Sequence, residues 1–221
     1  MNRVLAVRVA ILVTLVFVYE AVTRAKMLGP TLSVPPSAMV TDLDAALMSG
    51  DLGPGLLRTA TEIFASFGLA ALAGIVTGAL LSRSAFFAAV IEPTMIAYYA
   101  VPLFALYPLL IVLFGAGLWP IVALGTLNAY GAIAINTLVA LRGIKRVYLA
   151  VGRTTGCSRA QMIRHIVVPA TVPQVFVGLK LGFVYALIGC VAAEFILATA
   201  GLGYQVKFAY ENFASQRMFA V

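Results

Sequence analysis

The stretch "YLAVGRTTGCSRAQMIRHIVVPA", residues 148–170, holds three of the chain's fifteen lysines and arginines, Arg153, Arg159 and Arg164, together with its one histidine, His165. Long apolar segments flank it on both sides. A polar, helix-forming patch between such segments decides the fold, because it must lie outside the medium that buries its neighbours.

That medium is lipid. Of the 221 residues, 62% are hydrophobic and 10% charged, and the mean hydropathy of +1.04 lies far outside the range of soluble domains. A hydrocarbon core of about 30 Å is crossed by about 20 helical residues, and the sequence supplies several such runs. The runs do not alternate apolar and polar residues as barrel strands would. Helices, which satisfy every backbone amide internally, are therefore the expected spanning elements. The fold class that follows is all-α, a polytopic membrane helical bundle with five visible spans.

The net charge of +7 does not point to nucleic acid, since the basic residues are scattered singly and are not interleaved with stacking aromatics. Cys157 and Cys190 have no metal-type spacing and lie at different depths, so neither a metal site nor a disulfide is expected.

Working outward from the patch, the first span covers about 6–22 behind Arg3 and Arg8. It reads as an uncleaved helix, because the cleavage pattern near Ala21 and Ala25 is poor and further spans follow. A loop over 23–56 contains Pro30, Pro35 and Pro36, then "SAMVTDLDAALMSG", whose Met39, Leu43, Ala46 and Leu47 share a helical face. That pattern predicts a short amphipathic helix at the membrane surface. The second span, 57–82, carries Gly74 and Gly78, a small-xxx-small pair that admits close approach of another helix.

Residues 86–114 are apolar yet contain Pro93, Pro102 and Pro108. Proline removes a donor and clashes with the preceding turn, so this span must be kinked or broken. Broken backbone at membrane depth needs protein or a water-filled cavity around it, which makes the segment a pathway candidate. Tyr98 and Tyr99 beside the break could offer hydroxyls to a solute, with a structural kink and aromatic packing as the other readings. The fourth span, 118–141, places Asn128 and Asn136 on one face, to bridge helices or, for Asn128, to line a route. The fifth, 171–198, contains Glu194 near its outer end, where water can reach it. An ionisable group in an apolar run suggests function by default, and a structural hydrogen-bonding role is the alternative. Lys180 in the same span is expected to reach the cytoplasmic headgroups. Residues 1–56 thus form the first helix and an extracytoplasmic loop, 57–221 the transmembrane domain, with a mixed amphipathic tail at the end.

A cytoplasmic N-terminus puts Arg3, Arg8, Arg83, Arg142, Lys145, Arg146, Arg153, Arg159 and Arg164 inside, against Arg24, Lys26, Arg58, Lys207 and Arg217 outside. That excess obeys the positive-inside rule and turns the patch to the cytoplasm.

The patch itself divides in two. A helix over 145–155 is ended by Gly156, which can take a left-handed conformation without cost. Ser158 starts a second helix, with Gln161 completing a capping box, and Pro169 turns the chain into the next span. Val147, Val151 and Met162 form an apolar stripe, which must be buried on lipid or on a soluble partner.

Gly156, nine residues, Ile166, two residues, Pro169 is a spacing that resembles the "EAA" loop of permease subunits of ATP-binding-cassette importers. The likeness extends through "GLLRTATEIFASFGLAALAGIVTGALLSRS", "VPLFALYPLLIVLFGAG" and "AAEFILATAGLGY", in the order found in the nitrate, sulfonate and taurine branch of that family. Ala150, Val151 and Gly152 stand where the motif has Glu-Ala-Ala, and Val168 replaces its leucine. A charged contact by the motif's glutamate would be absent, leaving Arg153 and Arg159 more of the docking. The family would also have a final span after Val221.

The resemblance implies that the patch is a coupling helix seated on a cytoplasmic ATPase through Val147, Ala150, Val151, Arg153, Gly156, Ser158, Arg159, Ile166 and Pro169. It implies an inner-membrane importer of small, anionic or polar solutes of the sulfonate, nitrate, taurine or vitamin-precursor type, with a second permease copy and an extracytoplasmic solute-binding protein as partners. No G-x-x-x-x-G-K-[ST] loop occurs in the chain, so ATP and its Mg²⁺ would be bound by the ATPase, and no cofactor or enzymatic activity is expected here. A secondary transporter is the competing reading, although no inverted internal repeat is visible. A membrane enzyme would need a convergent catalytic set that a single histidine in the loop does not supply.

Overall fold

Apolar side chains on a backbone that must satisfy its own amides give helices, and every regular element among the described residues is helical. The structure, a computed structural model, describes residues 2–25, 27, 34–98 and 101–221. The elements are α1 (Asn2–Arg24), α2 (Pro36–Met48), α3 (Gly53–Ser82), α4 (Ala85–Tyr98), α5 (Tyr107–Phe114), α6 (Leu118–Arg142), α7 (Arg146–Thr154), α8 (Arg159–Met162), α9 (Val168–Leu197), α10 (Leu202–Glu211) and α11 (Ser215–Ala220). Among the described residues four stretches are long and apolar enough to cross a membrane: Val4–Arg24, Gly53–Ser82, Leu118–Arg142 and Arg159–Ile196.

The expected third span is broken at Pro102, whereas Pro93 sits inside α4 without ending it. α4 stops at Tyr98, a 3-10 turn follows over Leu103–Leu106, and α5 begins at Tyr107 with Pro108 in its first turn. There a missing amide costs nothing. At Pro169 the outcome differs from the expectation. The chain does not turn there, because a π-helical turn over Ile163–Val167 takes up the proline's steric and donor constraint and α9 begins at Val168. The result is one helical rod over Arg159–Ile196, 38 residues long. At about 1.5 Å per residue it measures about 57 Å, well beyond a hydrocarbon core of about 30 Å.

Contacts group residues 60–193 into one unit and residues 1–59 with 194–221 into another. In the first, α6 is the centre, with more than half of its most apolar window buried. Gly74 and Gly78 of α3 lie on it so closely that a Cβ would fall 2.9 Å from Ile133 Cβ and 2.6 Å from the Ala134 carbonyl oxygen. The small-residue pair is thus a packing seam within the chain. On the other flank Gly178 and Gly182 of α9 meet Asn136 and Ile133 at similar range. Ser66 Oγ donates to the Glu62 carbonyl (2.6 Å) and sits 3.3 Å from Cys190 Sγ, joining α3 to α9. Phe183 packs edge-on against Phe67 at 5.5 Å.

In the other unit α11 packs on α2 and α10. Gln216 Nε2 donates to the Ala38 carbonyl (3.1 Å) and Arg217 pairs with Asp42 at 3.8 Å. Met39, Leu43 and Ala46 turn away from solvent while Leu47 is exposed, so α2 spends its apolar face mainly on protein. Glu20 of α1 accepts from Arg24 Nε (2.6 Å) and from the Ser37 amide (3.0 Å) and hydroxyl (2.6 Å). Most of α1 is exposed, apolar residues included, as suits a helix facing lipid.

Candidate functional site

The polar patch folds into an elbow whose parts are dictated locally. Gly156 has φ +71, and the chain around it makes both bonds of a Schellman motif: Gly156 N–H donates to the Arg153 carbonyl (3.2 Å) and Cys157 N–H to the Gly152 carbonyl (3.0 Å). Two residues on, Ser158 opens α8 with the expected capping box. The Gln161 amide donates to Ser158 Oγ (3.3 Å) and the Ser158 amide to Gln161 Oε1 (2.8 Å).

Gly152 holds the arms of the elbow together. It is buried, and a Cβ on it would stand 2.5 Å from Ile166 Cδ1 and 2.7 Å from Met162 Sδ. Met162 is therefore off the expected outer stripe: it faces Gly152, and Ile166 closes the same contact. The outer surface is instead Val147 (63% exposed), Tyr148 (46%) and Val151 (54%). Spacings of three and four residues put them on one face of α7. Tyr148 adds an aromatic ring to this face that the aliphatic stripe of the sequence does not include. Ala150, Arg153, Ser158, Arg159 and Pro169 are also exposed. The geometry is an apolar face among exposed arginines, Arg146, Arg153 and Arg159, carried by a helix that abuts a 38-residue rod.

The membrane-level candidates fall in different places. Tyr98 donates its hydroxyl to the Leu127 carbonyl (2.7 Å), and Asn128 Nδ2 donates to the Leu124 carbonyl (2.9 Å), both within the 60–193 unit. Tyr99 lies outside the described residues. Asn136 takes the bridging part: Gln174 Nε2 of α9 donates to its Oδ1 at 2.8 Å. Lys180 is exposed and lies 4.9 Å over the Phe176 ring, one turn back toward the elbow, the direction a snorkelling chain takes from this position.

Glu194 is fully buried rather than open to water. Its carboxylate accepts from Thr59 Oγ1 (2.7 Å to Oε1) and from the Gly203 amide (2.8 Å to Oε2), while Thr59 Oγ1 accepts from the Leu202 amide (2.9 Å). The group thus caps the N-terminus of α10, where free amides and the helix dipole favour negative charge. Gly201, at φ +108, leaves the carboxylate no space for a Cβ between them. Thr59, Gly201 and Gly203 were not legible as its partners, although the glycine pair just past an apolar run is the signal for a chain reversal. Among the described residues no group of three or more His, Cys, Asp or Glu side chains could hold a metal ion.

Residues 70–220, which include the elbow, α6, α9 and the Glu194 cap, match the family of binding-protein-dependent transport system inner membrane components. The chain belongs to that family. This permease is 27% identical to the taurine transport system permease protein TauC of Escherichia coli over 225 residues, all of this chain and 82% of that protein. It is 30% identical to the formylaminopyrimidine transport permease protein ThiX of Halalkalibacterium halodurans over 203 residues, 89% of this chain and 78% of that protein. With the nitrate import permease protein NrtB of Synechococcus elongatus the identity is 32% over 162 residues, 73% of this chain and 58% of that protein. These likenesses put the permease in the nitrate, sulfonate and taurine-like branch of importer permeases, and with its apolar helices make it a multi-pass membrane protein.

Proposed function

We propose that this permease is the transmembrane half of an ATP-driven importer, coupled to a separate cytoplasmic ATPase through the 145–169 elbow. The observation that supports this reading best is the elbow's outer face. Val147, Tyr148 and Val151 are apolar and exposed beside arginines, and a small rigid apolar face with a basic rim suits a protein groove better than a disordered tail would. The 38-residue rod continues from the elbow into the span, so a movement of the seated elbow displaces the span. The two access states must differ in their contact with the ATPase, because a ligand shifts populations only through differential affinity.

The N-terminus and elbow are cytoplasmic, two permease copies pair, and an extracytoplasmic binding protein delivers the solute. ATP and Mg²⁺ belong to the ATPase. The solute class is small and polar or anionic, as the relatives' names for taurine, nitrate and formylaminopyrimidine suggest. Coexpression with candidate ATPases tests the reading: a soluble nucleotide-binding subunit copurifies with the wild type and is lost from a Val147→Asp/Val151→Asp variant that still inserts. Equal recovery from both would count against it.

A further inference from the structure

Glu194 sits where the rod ends. From Arg159 the helix runs to Ile196 without a break, and two residues before that end its carboxylate is held by Thr59 of α3 and by the first turn of α10. The bonds form a closed set: Thr59 donates to Glu194 and accepts from the Leu202 amide. The partners are short-range and directional, and Gly201 crowds the carboxylate from the third side. Apolar contacts slide under load, whereas a buried hydrogen-bonded set keeps its geometry or breaks, since leaving its members unpaired is costly. Beyond α10 the connection continues through α11 to α2 by Gln216 and Arg217.

We infer that Glu194 is a positioning residue, the joint through which the rod moves α10 and α11. The inference rests on the coupling role proposed above for the elbow. When the elbow is displaced, the joint compels α10 to follow α9, so the outer helices change state with the ATPase. Without the joint the rod still moves, but α10 no longer answers.

The test uses the permease–ATPase complex in nanodiscs, with Cys157→Ser and Cys190→Ala removing native thiols and Phe208→Cys, an exposed position on α10, as the reporter. Maleimide labelling is compared without nucleotide and after trapping with ATP, Mg²⁺ and vanadate. The wild-type joint is expected to give a labelling rate that changes about fivefold or more between the two states, the lower end of ordinary allosteric coupling. Glu194→Gln and Thr59→Val each abolish the change while the ATPase stays bound, and Thr59→Ser, which keeps the hydroxyl, restores it. If both loss variants respond like wild type, the joint is refuted and the coupling role stands. If both fail to accumulate while Thr59→Ser is normal, the set is a folding element only and the inference is overturned. A wild-type complex that captures no ATPase overturns the coupling role and the joint with it.

Discussion

Gly152 of α7 faces Met162 across the elbow with no room between them: a Cβ on the glycine would lie 2.7 Å from the methionine sulfur. The neighbours it would meet, Met162 and Ile166 Cδ1, are the free ends of flexible side chains. Gly152→Ala should therefore be absorbed, with ATPase capture within about twofold of wild type, as small core changes usually are. Gly152→Leu must part the arms, an overpacking cost of about 1–3 kcal/mol, and should lower capture several-fold while insertion is normal. Quantitative pull-down of the ATPase measures both.

Gly156 presents the opposite case, open space but a left-handed backbone at φ +71. Gly156→Asn should be nearly neutral, and Gly156→Ala should cost about 1–2 kcal/mol of local stability. Gly156→Pro cannot adopt the angle and loses the amide bonded to Arg153. It is expected to leave ATP hydrolysis by the complex running and uptake abolished. Normal uptake by the proline variant would contradict the elbow's mechanical part.

Two glycines on α3 should respond with opposite sign to one added methyl group. At Gly78 a Cβ meets the Ala134 carbonyl oxygen at 2.6 Å and Thr137 Cβ at 2.7 Å, and backbone cannot yield. Gly78→Ala should destabilise by about 1–3 kcal/mol. Gly68 has nothing within 4 Å, so Gly68→Ala should gain up to about 1 kcal/mol of helix propensity. Thermal unfolding in detergent, read by fluorescence-detected chromatography, should show the midpoint falling for the first and holding or rising for the second.

The Asn136 to Gln174 bond, 2.8 Å between α6 and α9, invites a double-mutant cycle with leucine at each position. Interhelical polar pairs in membranes average about 0.6 kcal/mol, so the coupling energy should be of that order and favourable. A coupling of zero would show that the bond contributes only shape.

Much of the elbow was legible because its signals are local. Gly156 ends a helix by its own backbone freedom, and Ser158 with Gln161 satisfies amides within a single turn. The break at Pro102 was equally legible, since prolines act on adjacent residues. What the sequence concealed was tertiary. Met162 shares a face with aliphatic neighbours in any helix diagram, and only the fold shows it turned onto Gly152. The local rule that helices stop near proline fails at Pro169, where a π-helical turn lets the helix continue. Glu194 lies in an apolar run whose outer end looked wet, but Thr59, 135 positions away in sequence, and the α10 amides enclose it.

The central claim is that the elbow's outer face is seated on a nucleotide-driven partner, and photocrosslinking tests it most directly. With a photoreactive amino acid at Val147, Tyr148 or Val151 and the coexpressed ATPase present, irradiation in native membranes should give adducts carrying ATPase peptides, weakened or shifted when vanadate traps nucleotide. Adducts with phospholipid alone at all three positions, with the ATPase in excess, would contradict it.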